Sequence, residues 1–217
     1  MNRLTPVSTF LLVAMVAGYA LQTLAGDSWI AALALWPLDT AVSVRSSQGL
    51  IEIGFAPWQL VSYAFLHGGL LHLFVNSFAL WMFGPPIERL LGRSAFATYW
   101  FSCVVGAADA QLLTLRWSLH AGEIVPTIGA SGGVFGLLLA FGMFFPRERI
   151  LLLFPPVPMP AWLFVTLYGL LELFLGIMRS ATGIAHFAHL GGMLAGFVLI
   201  QYWRGKLPIR PRRILVR

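Results

Sequence analysis

Six apolar stretches run through the chain, near residues 7-25, 59-83, 94-116, 131-145, 160-178 and 187-204, and the segments between them hold most of the charge. A helix needs about 20 apolar residues to cross about 30 Å of hydrocarbon. The pattern therefore predicts six membrane-spanning helices in one bundle: an all-α polytopic membrane protein in which residues 1-217 form a single domain with its core over 57-204. Segment 26-58 breaks the pattern. It carries Asp27, Asp39, Arg45 and Glu52, too polar to span, together with Trp29, Trp36 and Trp58, which suit an interface. It reads as a long outer loop. The fourth stretch is the shortest: from Ser131 to Phe145 it has 15 residues, a rise of about 22 Å. Its outer end should stop below the membrane surface.

Composition agrees. Of 217 residues, 59% are hydrophobic and 10% charged, against roughly 25% charged in soluble domains. Mean hydropathy is +0.82. The net charge of +6 is unevenly placed. Arg3, Arg89, Arg93, Arg147, Arg149, Arg204, Lys206, Arg210, Arg212, Arg213 and Arg217 fall on one side of a six-span topology, and Arg45, Arg116 and Arg179 on the other. By the positive-inside rule both termini are cytoplasmic. The basic residues serve topology, so nucleic acid is not an expected partner. The tail 205-217 can also touch anionic lipid. Cys103 stands alone, which excludes an intramolecular disulfide and leaves it as a small packing residue. The first stretch has no small-x-small cleavage site before a soluble domain, so it reads as a retained span.

In this topology the second, fourth and sixth helices all run from outside to inside. His67, His72 and Asn76 lie early in the second, Ser131 opens the fourth, and His189 opens the sixth. The polar groups thus gather at similar depth near one face. Polar groups in lipid are costly and mark function. Gly132 with Gly136, and Gly192 with Gly196, form small-xxx-small pairs that let two helices approach closely. Packing through those faces would bring the His189 imidazole to the Ser131 hydroxyl. A serine becomes a nucleophile when a base takes its proton. The developing oxyanion needs donors, which His72, Asn76 and the Ser131 N–H can supply. His67 is expected to support the loop Gly68-Gly69 by hydrogen bonding. Phe135, four residues after Ser131, is placed to pack under the His189 ring.

Other candidates carry less. Asp109 and Glu172 are the acids within apolar stretches, and either could orient an imidazole. Neither has a local motif, so a Ser/His dyad is favoured over a triad. His186 competes as a base but falls in the outer loop 179-188, where it has a gating or water-binding role or none. His120 reads as a solvated loop residue. No His/Glu pair has HExxH spacing, so neither metal nor cofactor is expected.

These residues resemble the rhomboid intramembrane serine proteases from Pro57 to Gly196. His67, His72 and Asn76 follow the family's HxxxxHxxxN pattern, with Gly84, Glu88 and Gly92 after it. Gly129-Ala130-Ser131-Gly132 matches the nucleophile motif GxSG. Ala188-His189-Leu190-Gly191-Gly192 with Gly196 matches the base motif. The resemblance implies a six-helix core with Ser131 and His189 as the catalytic pair and His72 and Asn76 at the oxyanion-stabilising positions. Gly129, Gly132, Phe135, Gly192 and His67 support them. Phe135 stands where some relatives have tyrosine, which removes a phenolic hydroxyl. Trp58-Gln59 stands where some carry Trp-Arg, so a loop salt bridge is in question. With no N-terminal cytoplasmic domain and no seventh span, the chain looks like the minimal form from a bacterial plasma membrane.

The expected activity is endopeptidase cleavage of transmembrane segments that enter laterally beside the fifth span, with loop 179-188 as a candidate cap. Two alternatives stay open: an inert rhomboid-like protein that binds membrane helices, and a small transporter. The second lacks any inverted repeat or paired broken helices.

Overall fold

Five of the six expected helices lie within two residues of the apolar stretches that announce them. They are α1 (Pro6–Ala25), α5 (Arg93–Ser118), α6 (Ser131–Phe144), α7 (Ala161–Ile177) and α8 (His186–Trp203). The structure is a computed structural model that describes residues 4–38, 41–46, 49–118, 125–151, 157–178, 185–209 and 211. His120, Arg3, Arg179, most of the candidate cap and most of the basic tail lie outside the described residues.

The second stretch is corrected. Residues 59–69 do not join the long helix. They form a short helix α3 (Gln59–Ser62) and a 3-10 turn (Tyr63–Phe65), and the long helix α4 begins at Leu70 and runs to Leu91. The Gly68-Gly69 pair, poor in helix propensity, separates the two. At the other end α4 continues through Pro85 and Pro86. Apolarity alone does not register that extension. Gly92, at φ 82°, stops the helix, a conformation open to glycine.

Segment 26-58 also holds more regular structure than its polarity suggested. It contains α2 (Asp27–Leu33) and an antiparallel hairpin, β1 (Ala41–Ser46) with β2 (Gly49–Gly54), in the register Ala41↔Gly54 to Ser46↔Gly49. A second small hairpin pairs β3 (Arg149–Leu151) with β4 (Pro158–Pro160). The fold is therefore mostly helical rather than all-α. By length and composition, α1 and α4 are each apolar enough to cross a membrane, while α6 and α7 are apolar but shorter.

Helix α6 is apolar all round and is buried along most of its length, as expected of a central helix. It packs with α5 and α8, whose contact with each other is the most extensive between helices of the described residues. Trp100, Tyr99, Phe96, Leu137 and Ile200 are among the fully buried side chains at this centre. Cys103 is buried there too, with its Sγ against Gly136 and Gly196, the packing role its isolation suggested. Helix α1 docks on α4 through Glu88, whose carboxylate accepts from the Val7 N–H (3.0 Å), the Ser8 N–H (2.8 Å), the Ser8 hydroxyl (2.8 Å) and the Thr5 hydroxyl. A buried anion at a helix N-terminus satisfies donors that the helix itself leaves open.

Candidate active site

Ser131 is the first residue of α6, where backbone N–H groups have no acceptor inside the helix. The approach to it is held from three sides. Thr127 and Leu35 exchange two backbone hydrogen bonds of 2.9 and 3.0 Å, and the Gly129 N–H donates to the Tyr63 carbonyl at 2.9 Å. Gly129 has φ 121°, and a Cβ there would lie 2.7 Å from the His72 ring. Only glycine fits both the backbone and the space.

His189 enters from α8. Its Nε2 lies 2.8 Å from Ser131 Oγ. That contact depends on the close passage of α6 and α8: a Cβ on Gly192 would lie 2.1 Å from the Gly132 carbonyl oxygen. The Phe135 ring stacks on His189 with centroids 4.1 Å apart and planes 7° from parallel. Tyr168 of α7 also stacks on Phe135, at 5.1 Å. The imidazole is thus fixed in plane by an aromatic column rooted in two helices.

His72 and Asn76 sit one turn apart on α4. The His72 Nδ1 accepts the Gly68 N–H at 3.2 Å. A neutral ring with Nδ1 as acceptor carries its proton on Nε2, so His72 presents a donor. Asn76 is buried, and its amide donates one N–H to the His72 carbonyl at 3.0 Å, leaving the second. His67 is corrected: its ring is fully buried, edge-on to His72 at 5.2 Å, and makes no hydrogen bond to Gly68 or Gly69. The loop is held instead by His72, while Gln22 of α1 pins the His67 backbone through bonds of 2.8 and 3.0 Å.

Two cavities meet at the pair. One, of about 590 Å³, is lined by polar groups including Tyr63, Gln111 and Thr127. The other, of about 780 Å³, is an apolar cleft between α4 and α7, lined by Ala79, Met82, Leu138, Phe164 and Leu171. His72, Ser131 and His189 line both.

Glu172 and His186 are the residues that sequence reasoning set aside. Glu172 is buried on α7, and its Oε2 lies 2.9 Å from His189 Nδ1 and 2.7 Å from His186 Nδ1. His186 is the buried first residue of α8 and not part of a loop. The signal was present: His186 and His189 are three apart, hence on one helix face, and a buried acid in an apolar helix needs a partner. Asp109, the other candidate acid, lines a different groove with Gly106 and Leu194. Among the described residues, Glu172, His186 and His189 also form a group that could hold a metal ion, with donor atoms all within 4.8 Å, although no sequence spacing announced one.

The loop salt bridge in question at Trp58-Gln59 is replaced by neutral bonds. Gln59 is buried, accepts the Trp36 N–H at 3.2 Å and donates to the Gly54 carbonyl at 2.9 Å.

Comparison with known proteins agrees with this architecture. Residues 55–205 match the Rhomboid domain. The chain is 30% identical over 185 residues to the mitochondrial Rhomboid protein 1 of Saccharomyces cerevisiae, covering 80% of this chain and 50% of that one. It is 28% identical over 203 residues to Bacillus subtilis YdcA, whose name proposes a rhomboid protease, covering 92% and 91%. RHOMBOID-like protein 4 of Arabidopsis thaliana is 30% identical over 176 residues, covering 81% and 39%. The chain thus spans about half the length of the yeast relative and nearly all of the Bacillus one. With its apolar helices and its matched domain, the chain belongs to the rhomboid family of membrane proteins.

Proposed function

We propose that the chain is an intramembrane serine endopeptidase of a bacterial plasma membrane, with α1 and α4 to α8 as its six spans and both termini cytoplasmic. The observation that carries this reading is the 2.8 Å contact between His189 Nε2 and Ser131 Oγ, set where a polar cavity meets an apolar cleft.

Ser131 Oγ attacks the carbonyl carbon of the scissile bond, and its proton passes to His189 Nε2. Negative charge develops on the carbonyl oxygen, which His72, Asn76 and the Ser131 N–H stabilise by hydrogen bonding. The C–N bond breaks, His189 returns the proton to the leaving amine, and an ester remains on Ser131. Water from the polar cavity then attacks the ester while His189 takes its proton; the C–O bond to Ser131 breaks, His189 returns that proton to Ser131 Oγ, and a carboxylic acid and free Ser131 result.

The substrate is a transmembrane segment of another protein. It reaches the pair through the apolar cleft between α4 and α7, which offers lipid-like walls. A helix shields its own peptide bonds, so the segment unwinds locally, and small or helix-breaking residues near the bond favour this. No metal or cofactor has a part in these steps.

The test is cleavage of a synthetic transmembrane substrate by purified protein in proteoliposomes. The wild type should yield product and Ser131→Ala none. Equal product from both overturns the reading.

A further inference from the structure

We infer that Glu172 is a positioning residue for the base: with His186 as its clamp, it holds His189 in the tautomer that can accept the serine proton. The inference rests on the serine-protease reading and deepens its site.

The argument is one of donors and acceptors. An ionised carboxylate has oxygens that accept and no proton to give. Glu172 Oε2 lies within hydrogen-bond distance of His189 Nδ1 and His186 Nδ1, at 2.9 and 2.7 Å. Both ring nitrogens must therefore donate. A neutral His189 with its proton on Nδ1 has its lone pair on Nε2, the atom 2.8 Å from Ser131 Oγ. Without the acid, nothing in these contacts selects that tautomer over one with its proton on Nε2, which would point a donor at the hydroxyl. When Nε2 takes the serine proton, the imidazolium faces a carboxylate at contact distance. All three groups are buried, with Glu172 4%, His186 5% and His189 8% exposed, so solvent competes little for these bonds.

Geometry also explains the second histidine. Glu172 and the base sit on different helices, α7 and α8, whereas His186 and His189 share a face of α8. Two donors from one rigid helix fix the carboxylate against that helix. Phe135 holds the plane of the His189 ring, and Glu172 fixes which edge carries the proton. Ser131 Oγ meets His189 at Nε2, and among the described residues the hydrogen bond at Nδ1 goes to Glu172.

Nitrogen-15 spectra of the wild-type protein, labelled at histidine, test this directly. Replacement of single histidines assigns the His189 signals. His189 should be found with its proton on Nδ1, and Glu172→Gln should populate the other tautomer. In the proteoliposome assay, Glu172→Gln should lower kcat by about 100-fold, the lower end of what a positioned proton-transfer group contributes, with KM little changed. His186→Asn should lower kcat less. A wild-type His189 protonated on Nε2 overturns the inference without any variant. So does a folded Glu172→Gln protein that keeps wild-type kcat or an unchanged His189 tautomer. In both cases an inactive Ser131→Ala leaves the protease reading standing. Cleavage by Ser131→Ala defeats that reading, while the spectra still report on Glu172.

Discussion

Gly192 of α8 faces the carbonyl of Gly132 so closely that a methyl group on Gly192 would lie 2.1 Å from that oxygen. The separation of α6 and α8 is set at this point, next to Ser131 and one turn from His189, the proposed catalytic pair. Backbone cannot yield as a flexible side chain does. Gly192→Ala should therefore push the helices apart, lengthen the Ser131–His189 contact and destabilise the fold by about 1–3 kcal/mol, the usual cost of overpacking. Thermal unfolding in detergent and substrate turnover together check this, and both should fall.

In the proposed mechanism the donors on α4 act at a different stage. His72→Ala leaves Ser131 and His189 in place but removes a donor to the developing oxyanion. Loss of one such donor costs about 100- to 1000-fold in kcat. His72→Ala should show that loss at nearly unchanged KM, with a modest fall in thermal stability because the Gly68 N–H loses its acceptor. A loss confined to KM would assign His72 to binding.

Phe135 offers a cleaner separation of packing from chemistry. Its ring stacks on both His189 and Tyr168, and stacked aromatic pairs contribute about 0.5–1.5 kcal/mol beyond area burial. Phe135→Ala should free the imidazole to rotate and lower kcat by about tenfold, the equivalent of 1.4 kcal/mol. Phe135→Leu, which fills the space without a stacking face, should recover stability more than turnover.

Gln59 anchors segment 26-58 and bonds to neither Ser131 nor His189. Its replacement by leucine leaves the buried Trp36 N–H and the half-buried Gly54 carbonyl without their side-chain partner, at about 1–3 kcal/mol for the buried donor. The expected result is a lower unfolding temperature with kcat, measured well below that temperature, close to wild type.

Much of this molecule is written in its residues, for identifiable reasons. Continuous apolar stretches fix where helices form when nothing but helix satisfies the backbone in lipid, so α1, α5, α6, α7 and α8 were legible to within a turn. The start of α4 was not, because Gly68-Gly69 lies inside an apolar run and hydropathy does not see a change of backbone. Nor were the hairpins: β1 and β2 pair in a segment whose polarity says only that it does not span. Ser131, His189, His72 and Asn76 stood out because polar groups in apolar helices are few. Glu172 stood out equally, but its partners lie on another helix at a separation of 14 and 17 residues, and no spacing rule within one helix reports that. His67 misled because adjacency to a flexible loop suggested a bond to it, whereas the neighbouring ring makes that bond.

The most direct measurement of the central claim is site mapping of a serine-reactive fluorophosphonate by mass spectrometry, on wild-type protein in bilayers. A single adduct on Ser131, absent from Ser131→Ala and formed far more slowly in His189→Asn, is the predicted result. Labelling at another residue, or at Ser131 with a rate indifferent to His189, would contradict the assignment of these two side chains as nucleophile and base.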